Sequence, residues 1–175
     1  MRKYSLVFII LIFCVILFSC AEADEDTAPA EINIDIDIRD LYNAIKGQID
    51  FEEHDDHGYD EYSADLIKHL FGITEEDAAE IIAIKKIDFN NAFNEEILIL
   101  ARSENNDKAK ETAAKLEKYK DGQLKTLTDY TIEGNEAQYY LMEESEITVK
   151  QNYVFWVVDG RRKEINNIIE VLFYE

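Results

Sequence analysis

The run Tyr153–Val158 (Tyr-Val-Phe-Trp-Val-Val) constrains the fold more than any other segment of the chain. Side chains alternate between the two faces of a strand, and here both sets are apolar. A strand of this kind is buried on both sides, so it predicts a central position in a sheet. A different interpretation is that Phe155 or Trp156 opens onto an exposed patch that binds a partner or a glycan.

Three further segments are predicted to be strands. Glu96–Ala101 contains the run Ile-Leu-Ile-Leu, which is again apolar on both faces, and a β-rich stretch begins at Ile81 and ends near Phe89. Ile147–Val149 and the strand at Tyr153 flank Lys150-Gln151-Asn152, which is typical of a hairpin.

Helices are predicted where capping residues precede apolar residues at helical spacing. Asp37 and Asp40 form an N-cap and N3 pair, and Ser63 caps a helix that Gly72 closes. Thr74 and Asp77 form a second candidate capping box, which predicts a brief helix to about Glu80. Later helices are predicted over residues 105–129, near 137–141 and from 165 to 172.

This order of elements predicts an α+β fold. The expected architecture is a mainly antiparallel four-stranded sheet with helices packed on one face, and with a helical N-terminal part. The segment Ile32–Ile38 alternates isoleucine with polar residues, which favours a strand or an extended lead-in to the first helix. The predicted boundaries are 32–175 for this single domain and 20–31 for an acidic tether before it.

Residues 1–19 have the pattern of a lipoprotein signal peptide. Arg2 and Lys3 precede the apolar run Leu6–Phe18, whose 13 residues are fewer than the roughly 20 that span a bilayer as a helix. Leu17-Phe18-Ser19-Cys20 resembles the lipobox of bacterial lipoproteins, which implies that Cys20 is lipid-modified and becomes the mature N-terminus. We therefore expect a lipid-anchored protein on the extracytoplasmic face of the cell membrane.

The charge of the chain restricts its partners. It carries 18 basic and 38 acidic residues, a net charge of −20. Such a surface repels phosphate backbones and so excludes nucleic-acid binding, while metal ions, basic peptides and basic protein patches are permitted. A simpler interpretation is that the acidity keeps an exported domain soluble. Cys14 and Cys20 are the two cysteines, so the mature chain is expected to lack disulfides.

The segment 52–61 is the candidate metal site. His54 and His57 are three residues apart and are flanked by Glu53 and Asp56, a set of nitrogen and oxygen ligands that suits a divalent cation. The zincin arrangement of ligands is missing, so a solvated acidic loop is the alternative. Asp35, Asp37 and Asp40 lack the glycine and glutamate of a calcium loop.

No sequence motif of a catalytic site is found. The six glycines are scattered, so they form neither a phosphate-binding loop nor a dinucleotide fingerprint, and there is no nucleophile elbow. We expect a protein that is not an enzyme and has no cofactor, and that has an interaction or structural role with an unknown envelope protein partner. The alternative is a divalent-metal-binding lipoprotein that uses residues 52–61.

From Ile38 to Phe173 the chain resembles the bacterial family called domain of unknown function 4358, whose members are mostly short lipoproteins. The resemblance rests on four segments, namely 66–74 with the strand at Ile81, then 95–99, 118–123 and 152–154. Gln151 stands where the family commonly has glycine, and Tyr130-Thr131-Ile132 lacks a proline that often follows the long helix. The resemblance implies an architecture and a location, and no activity.

Overall fold

The computed structural model describes residues 35–49, 60–87, 95–129 and 136–174. Within them the chain forms five helices and five strands, all of which belong to the compact unit Ile36–Glu175. The helices are α1 (Ile38–Gln48), α2 (Ala64–Phe71), α3 (Asn106–Asp129), α4 (Glu136–Glu143) and α5 (Arg162–Tyr174). The strands are β1 (Asp60–Glu61), β2 (Glu80–Ile87), β3 (Glu95–Arg102), β4 (Ile147–Lys150) and β5 (Tyr153–Val158).

The strands form one antiparallel sheet in the order β1-β2-β3-β5-β4. Across its centre Ala83 pairs with Ile99, and Ile99 pairs with Trp156. Every residue of β5 is buried, as expected for a central strand that is apolar on both faces. The α+β class, the antiparallel sheet and its four longer strands are confirmed, and the two-residue strand β1 extends the sheet at one edge.

Helices cover both faces of the sheet, so the expectation of helices on one face is wrong. Ala83, Ile99 and Trp156 belong to the core that also contains residues of α2, α3 and α4. The opposite face of β5 carries Phe155, whose ring lies 5.3 Å from that of Phe173 in α5, and α1 packs on β2 and β3. The physical reason is that β3 and β5 are apolar on both faces, and each face must be removed from water.

The helix caps are those that the sequence predicts. The Asp37 carboxylate accepts hydrogen bonds from the N–H groups of Arg39 and Asp40 at the start of α1. Ser63 caps α2, and Gly72 ends it with a left-handed φ of 68°. Of the predicted extended segment from Ile32, positions 32–34 lie outside the described residues.

The predicted helix after Thr74 is replaced by a turn. Glu75–Asp77 form hydrogen-bonded turn structure, with the Asp77 and Ala78 N–H groups donating to the Thr74 carbonyl at 2.9 and 3.1 Å. The Asp77 carboxylate does bond back to the Thr74 N–H and hydroxyl, at 2.8 and 2.9 Å. One of the two bonds of a capping box is therefore present, but the chain must enter β2 at Glu80 and no helix follows it.

Candidate functional site

A groove of about 800 Å³ lies at the β2 edge of the sheet. We call it the edge groove. It is bounded by the first turn of α1 (residues 37–39), by α2 (residues 64–68) and by the segment 73–82. Its volume is within the usual range of ligand pockets in proteins.

The lining of the edge groove combines buried apolar residues with carboxylates. The apolar residues come from α1, α2, the segment 73–79 and β2, and they are Ile38, Ile67, Ile73, Ala78 and Ile82. The carboxylates are Asp37, Asp65, Glu75, Glu76 and Glu80. Arg39 and Lys68 are the cations of the lining, so carboxylates outnumber basic groups and the groove has an acidic rim.

Arg39 is already held by an ion pair. Its Nη1 and Nη2 donate to the two carboxylate oxygens of Glu61, at 2.8 and 2.7 Å. The hydrogen bond with Glu61 raises the pKa of Arg39, and the same bond lowers the pKa of Glu61. This bidentate pair neutralises one of the two cations near the groove, which strengthens its acidic character.

Asp77 fixes the wall of the edge groove formed by the segment 73–79. Its buried carboxylate lies 2.6 Å from the Lys115 Nζ of α3. The Lys115 Nζ also donates to the Gly72 carbonyl at 3.0 Å, and the Thr112 hydroxyl donates to the Asp77 carbonyl at 3.1 Å. Three contacts with α3 therefore hold both ends of this wall, and Glu75 and Glu76 project from it at the surface.

The pKa of Asp77 reflects this environment. Burial raises the pKa of the carboxyl, but the hydrogen bonds from Lys115 and Thr74 lower it by more, so the pKa lies below its ordinary value of 3.8. A carboxyl of low pKa is ionised at neutral pH, and a carboxylate already bonded by a lysine and a threonine serves structure and not proton transfer.

The wall formed by α1 is anchored by a residue of the central strand β5. The hydroxyl of buried Tyr153 accepts a hydrogen bond from the Ile36 N–H at 2.7 Å and donates to the Ile36 carbonyl at 3.0 Å. Because Ile36 lies just before the Asp37 cap, this pair of bonds fixes where α1 begins.

The groove includes a part of the sheet edge along which no described strand pairs with β2. β1 pairs with β2 at Lys85 and Ile84, and the next contact is the Tyr62 N–H, which donates to the Ala83 carbonyl at 2.8 Å. The chain then leaves the sheet at Ser63 to form α2. Glu80–Ile82, the first residues of β2, line the groove beyond that point.

Most of the site residues predicted from the sequence do not line the edge groove. Cys20, Glu53, His54, Asp56 and His57 lie outside the described residues. Within the part of the chain that the structure describes, no three His, Cys, Asp or Glu side chains are arranged to hold a metal ion. In the same part, no helix combines the length and the hydropathy needed to cross a bilayer.

Phe155 and Trp156 are core residues. Their exposed fractions are 3% and 0%, and the Trp156 Nε1 donates to the Ser145 hydroxyl at 2.9 Å. The hypothesis of an exposed patch at these two residues is therefore corrected, because the two faces of β5 are both covered by helices.

The sequence patterns did not predict the edge groove. Local patterns in the sequence do identify the cap residues Asp37 and Ser63 and the pair Thr74 and Asp77. The contacts that assemble its walls join Asp77 to Thr112 and Gly72 to Lys115, which are 35 and 43 residues apart. No local pattern carries that information.

An antiparallel sheet with helices on both faces defines an α+β domain, and its acidic groove lies at one edge of the sheet. The family model described as Domain of unknown function (DUF4358) matches residues 52–159, more than half of the chain, and the chain belongs to this family. The match spans β1 to β5 and leaves out α1 and α5. No curated protein and no solved structure matches the chain significantly.

Proposed function

We propose that this protein is a lipid-anchored, extracytoplasmic module of the cell envelope, which binds a partner protein through the edge groove and catalyses no reaction. The observation that carries the proposal is the groove itself, in which buried isoleucines are surrounded by exposed carboxylates. Apolar surface supplies the affinity of such a site, and a charged rim selects the partner.

The anchor is supported by the sequence of residues 1–20. A signal peptide with a 13-residue apolar run ends at Ser19-Cys20, where the lipobox pattern puts the modified cysteine. Two acyl chains, at about 0.8 kcal/mol per buried methylene, hold a protein stably on a membrane. The net charge of −20 would keep the folded part away from anionic headgroups.

The anchor is tested by metabolic labelling with an alkyne-tagged fatty acid. We expect the natural chain to be labelled and to fractionate with membranes, and Cys20→Ala to lose the label. Cys14→Ala is the matched control because it removes the other cysteine, and its labelling is expected to be unchanged. Full labelling of Cys20→Ala would overturn the lipid anchor.

Partner binding is tested by photo-crosslinking in intact envelopes. A photoreactive amino acid at position 76, on the exposed rim of the groove, is expected to crosslink one protein reproducibly. The control has the same amino acid at position 117, an exposed site on α3, and is expected to give no such product. Absence of a product specific to position 76 would contradict the proposed role of the groove.

A second candidate function is divalent-metal binding by residues 52–61, which the pair His54 and His57 favours. It is tested by calorimetric titration of the full chain in detergent with Zn²⁺, Ni²⁺ and Ca²⁺. Saturable binding that is lost in His54→Ala/His57→Ala would support it. His69→Ala, which removes the third histidine at an exposed site on α2, is the control. Binding that survives the double substitution would exclude these ligands.

A further inference from the structure

Within the part of the chain that the structure describes, β2 has main-chain groups beyond the end of β1, on the side where its first residues line the edge groove. Main-chain N–H and C=O groups of one residue point to the same side of an antiparallel strand, and successive residues alternate. The Ala83 carbonyl points toward β1, where it accepts from the Tyr62 N–H. Ile81 lies two residues earlier, so its N–H and C=O point to that same side, beyond the end of β1.

Among the described residues, no main-chain group pairs with these two groups of Ile81, because β1 pairs with β2 at Lys85 and Ile84 and the last bond along this edge joins Tyr62 to Ala83. The chain would have to continue β1 past Tyr62 to reach them, but Ser63 instead caps α2 and the helix begins at Ala64. The N–H donor and the C=O acceptor of Ile81 therefore lie at the groove in the positions at which the next residue pair of a strand would bind. Such groups are a template for pairing with another extended chain.

We infer that the edge groove binds an extended, positively charged peptide segment of a partner protein, which adds to the sheet as a short strand beside Ile81. This inference rests on the proposed function and specifies the partner. Strand addition takes its affinity from main-chain hydrogen bonds and its specificity from the contacts of alternate side chains.

The charges of the groove select a basic occupant. Glu75 and Glu76 are exposed on one wall and Asp37 lies on the other, while Arg39 is paired with Glu61. Lysine or arginine side chains of an added strand would be attracted to both walls, and acidic side chains would be repelled. Apolar side chains of the same segment would contact Ile81, the partly exposed isoleucine of the lining.

The inference is tested with a fluorescent peptide, Lys-Val-Lys-Val-Lys-Val-Lys, and the full chain in a nonionic detergent. Fluorescence anisotropy is expected to show saturable binding that weakens as salt is added. The acidic counterpart, with glutamate in place of lysine, is expected not to bind. Equal binding of both peptides, or binding of neither, would overturn the inference.

Main-chain pairing is distinguished from charge attraction by N-methylation of the peptide. One version is methylated at its valine amides and the other at its lysine amides, so each removes the donors on one side of the strand. We expect one version to bind at least about tenfold more weakly and the other to bind nearly normally. Equal effects in the two versions would exclude strand addition.

A pair of charge-reversal variants tests whether the peptide binds in the edge groove. Glu75→Lys/Glu76→Lys changes its rim, and Glu117→Lys/Asp121→Lys makes the same change in net charge at exposed sites on α3. We expect at least about tenfold weaker peptide binding in the first variant and less than about threefold in the second. Equal weakening in both would place the binding outside the groove.

The crosslinking experiment separates this inference from the proposed function. If position 76 crosslinks a partner but the basic peptide does not bind, the groove is an interaction site and strand addition by a cationic segment is wrong. If neither result is obtained, both proposals fail.

Discussion

Gln151 is the residue other than glycine that has a positive φ in the part of the chain that the structure describes. It occupies the two-residue connection of the β4–β5 hairpin, between the paired residues Lys150 and Tyr153, with a φ of 53°. A residue with a Cβ loses about 1–2 kcal/mol in the left-handed region. The turn therefore keeps its geometry against the conformational preference of glutamine.

Gln151→Gly is expected to raise the free energy of unfolding by about 1 kcal/mol, because relief of the left-handed strain exceeds the extra entropy of glycine in the unfolded chain. Urea unfolding followed by circular dichroism measures the change.

The reciprocal control is Gly72→Ala. Gly72 has a φ of 68°, and a Cβ there would meet no atom within 4 Å, so only the main-chain conformation opposes alanine. We expect a loss of about 1 kcal/mol. The explanation by φ would be refuted if both substitutions changed stability in the same direction.

Among the elements, the turn before β2 shows how a sequence pattern and tertiary contacts combine. The Asp77 carboxylate makes the back-bond of a capping box to the Thr74 N–H, but the Asp77 N–H donates to the Thr74 carbonyl and not to its hydroxyl, and the helix expected after them is absent. Lys115 and Thr112 of α3 also bind Asp77, which draws the turn onto α3. The pairing of β2 with β3 starts at Glu80, so the chain is extended from that residue and cannot continue as a helix.

Asp77→Asn is expected to reduce the free energy of unfolding at pH 7 by about 2 kcal/mol, because it removes the charge that pairs with Lys115 in a buried site. The pKa of Asp77 is lower in the folded chain than its ordinary value of 3.8, so its ionised form favours folding. This contribution is complete above that ordinary value and is lost as the pH falls through the lower folded pKa.

The difference between the natural chain and Asp77→Asn should therefore be constant from pH 7 to about pH 4 and become smaller below it. Urea unfolding of both chains at pH 7, 5, 4 and 3 checks this, and the comparison cancels the titration of the other carboxyls. A difference that grows toward pH 3 would show that Asp77 does not have a lowered pKa.

At the scale of the whole molecule, the large negative charge affects folding stability. With a net charge of −20 the folded chain brings many carboxylates closer together than the unfolded chain does. Most of the ion pairs on the described surface are partly exposed, such as Lys108 with Glu111, and pairs of this kind contribute little. Self-repulsion is therefore the larger electrostatic effect on stability.

Sodium chloride is expected to raise the Tm as its concentration goes from about 0.1 to 1 M, since the screening length falls from about 10 Å to 3 Å. Differential scanning calorimetry measures the change. Tetramethylammonium chloride should give a similar rise if screening is the cause. A rise with sodium alone would indicate a bound cation, and a fall in Tm with both salts would show that attractive pairs outweigh the repulsion.

The sequence alone determined the class of the fold and its longer elements. Six consecutive apolar residues at Tyr153–Val158 require a strand covered on both sides, and Asp37, Ser63 and Gly72 are caps whose chemistry acts within one turn of the chain. These features are local, since each depends on neighbours in sequence, and for that reason they were predictable.

Only the tertiary structure decided where the helices lie and what they enclose. The placement of α1 and α5 on the second face, the turn at Asp77 and the edge groove depend on contacts such as that of Lys115 with Gly72, which are distant in sequence. The burial of Trp156 was the favoured interpretation of its strand, but its Ser145 partner came from the structure. Long-range packing, and not residue pattern, builds the site.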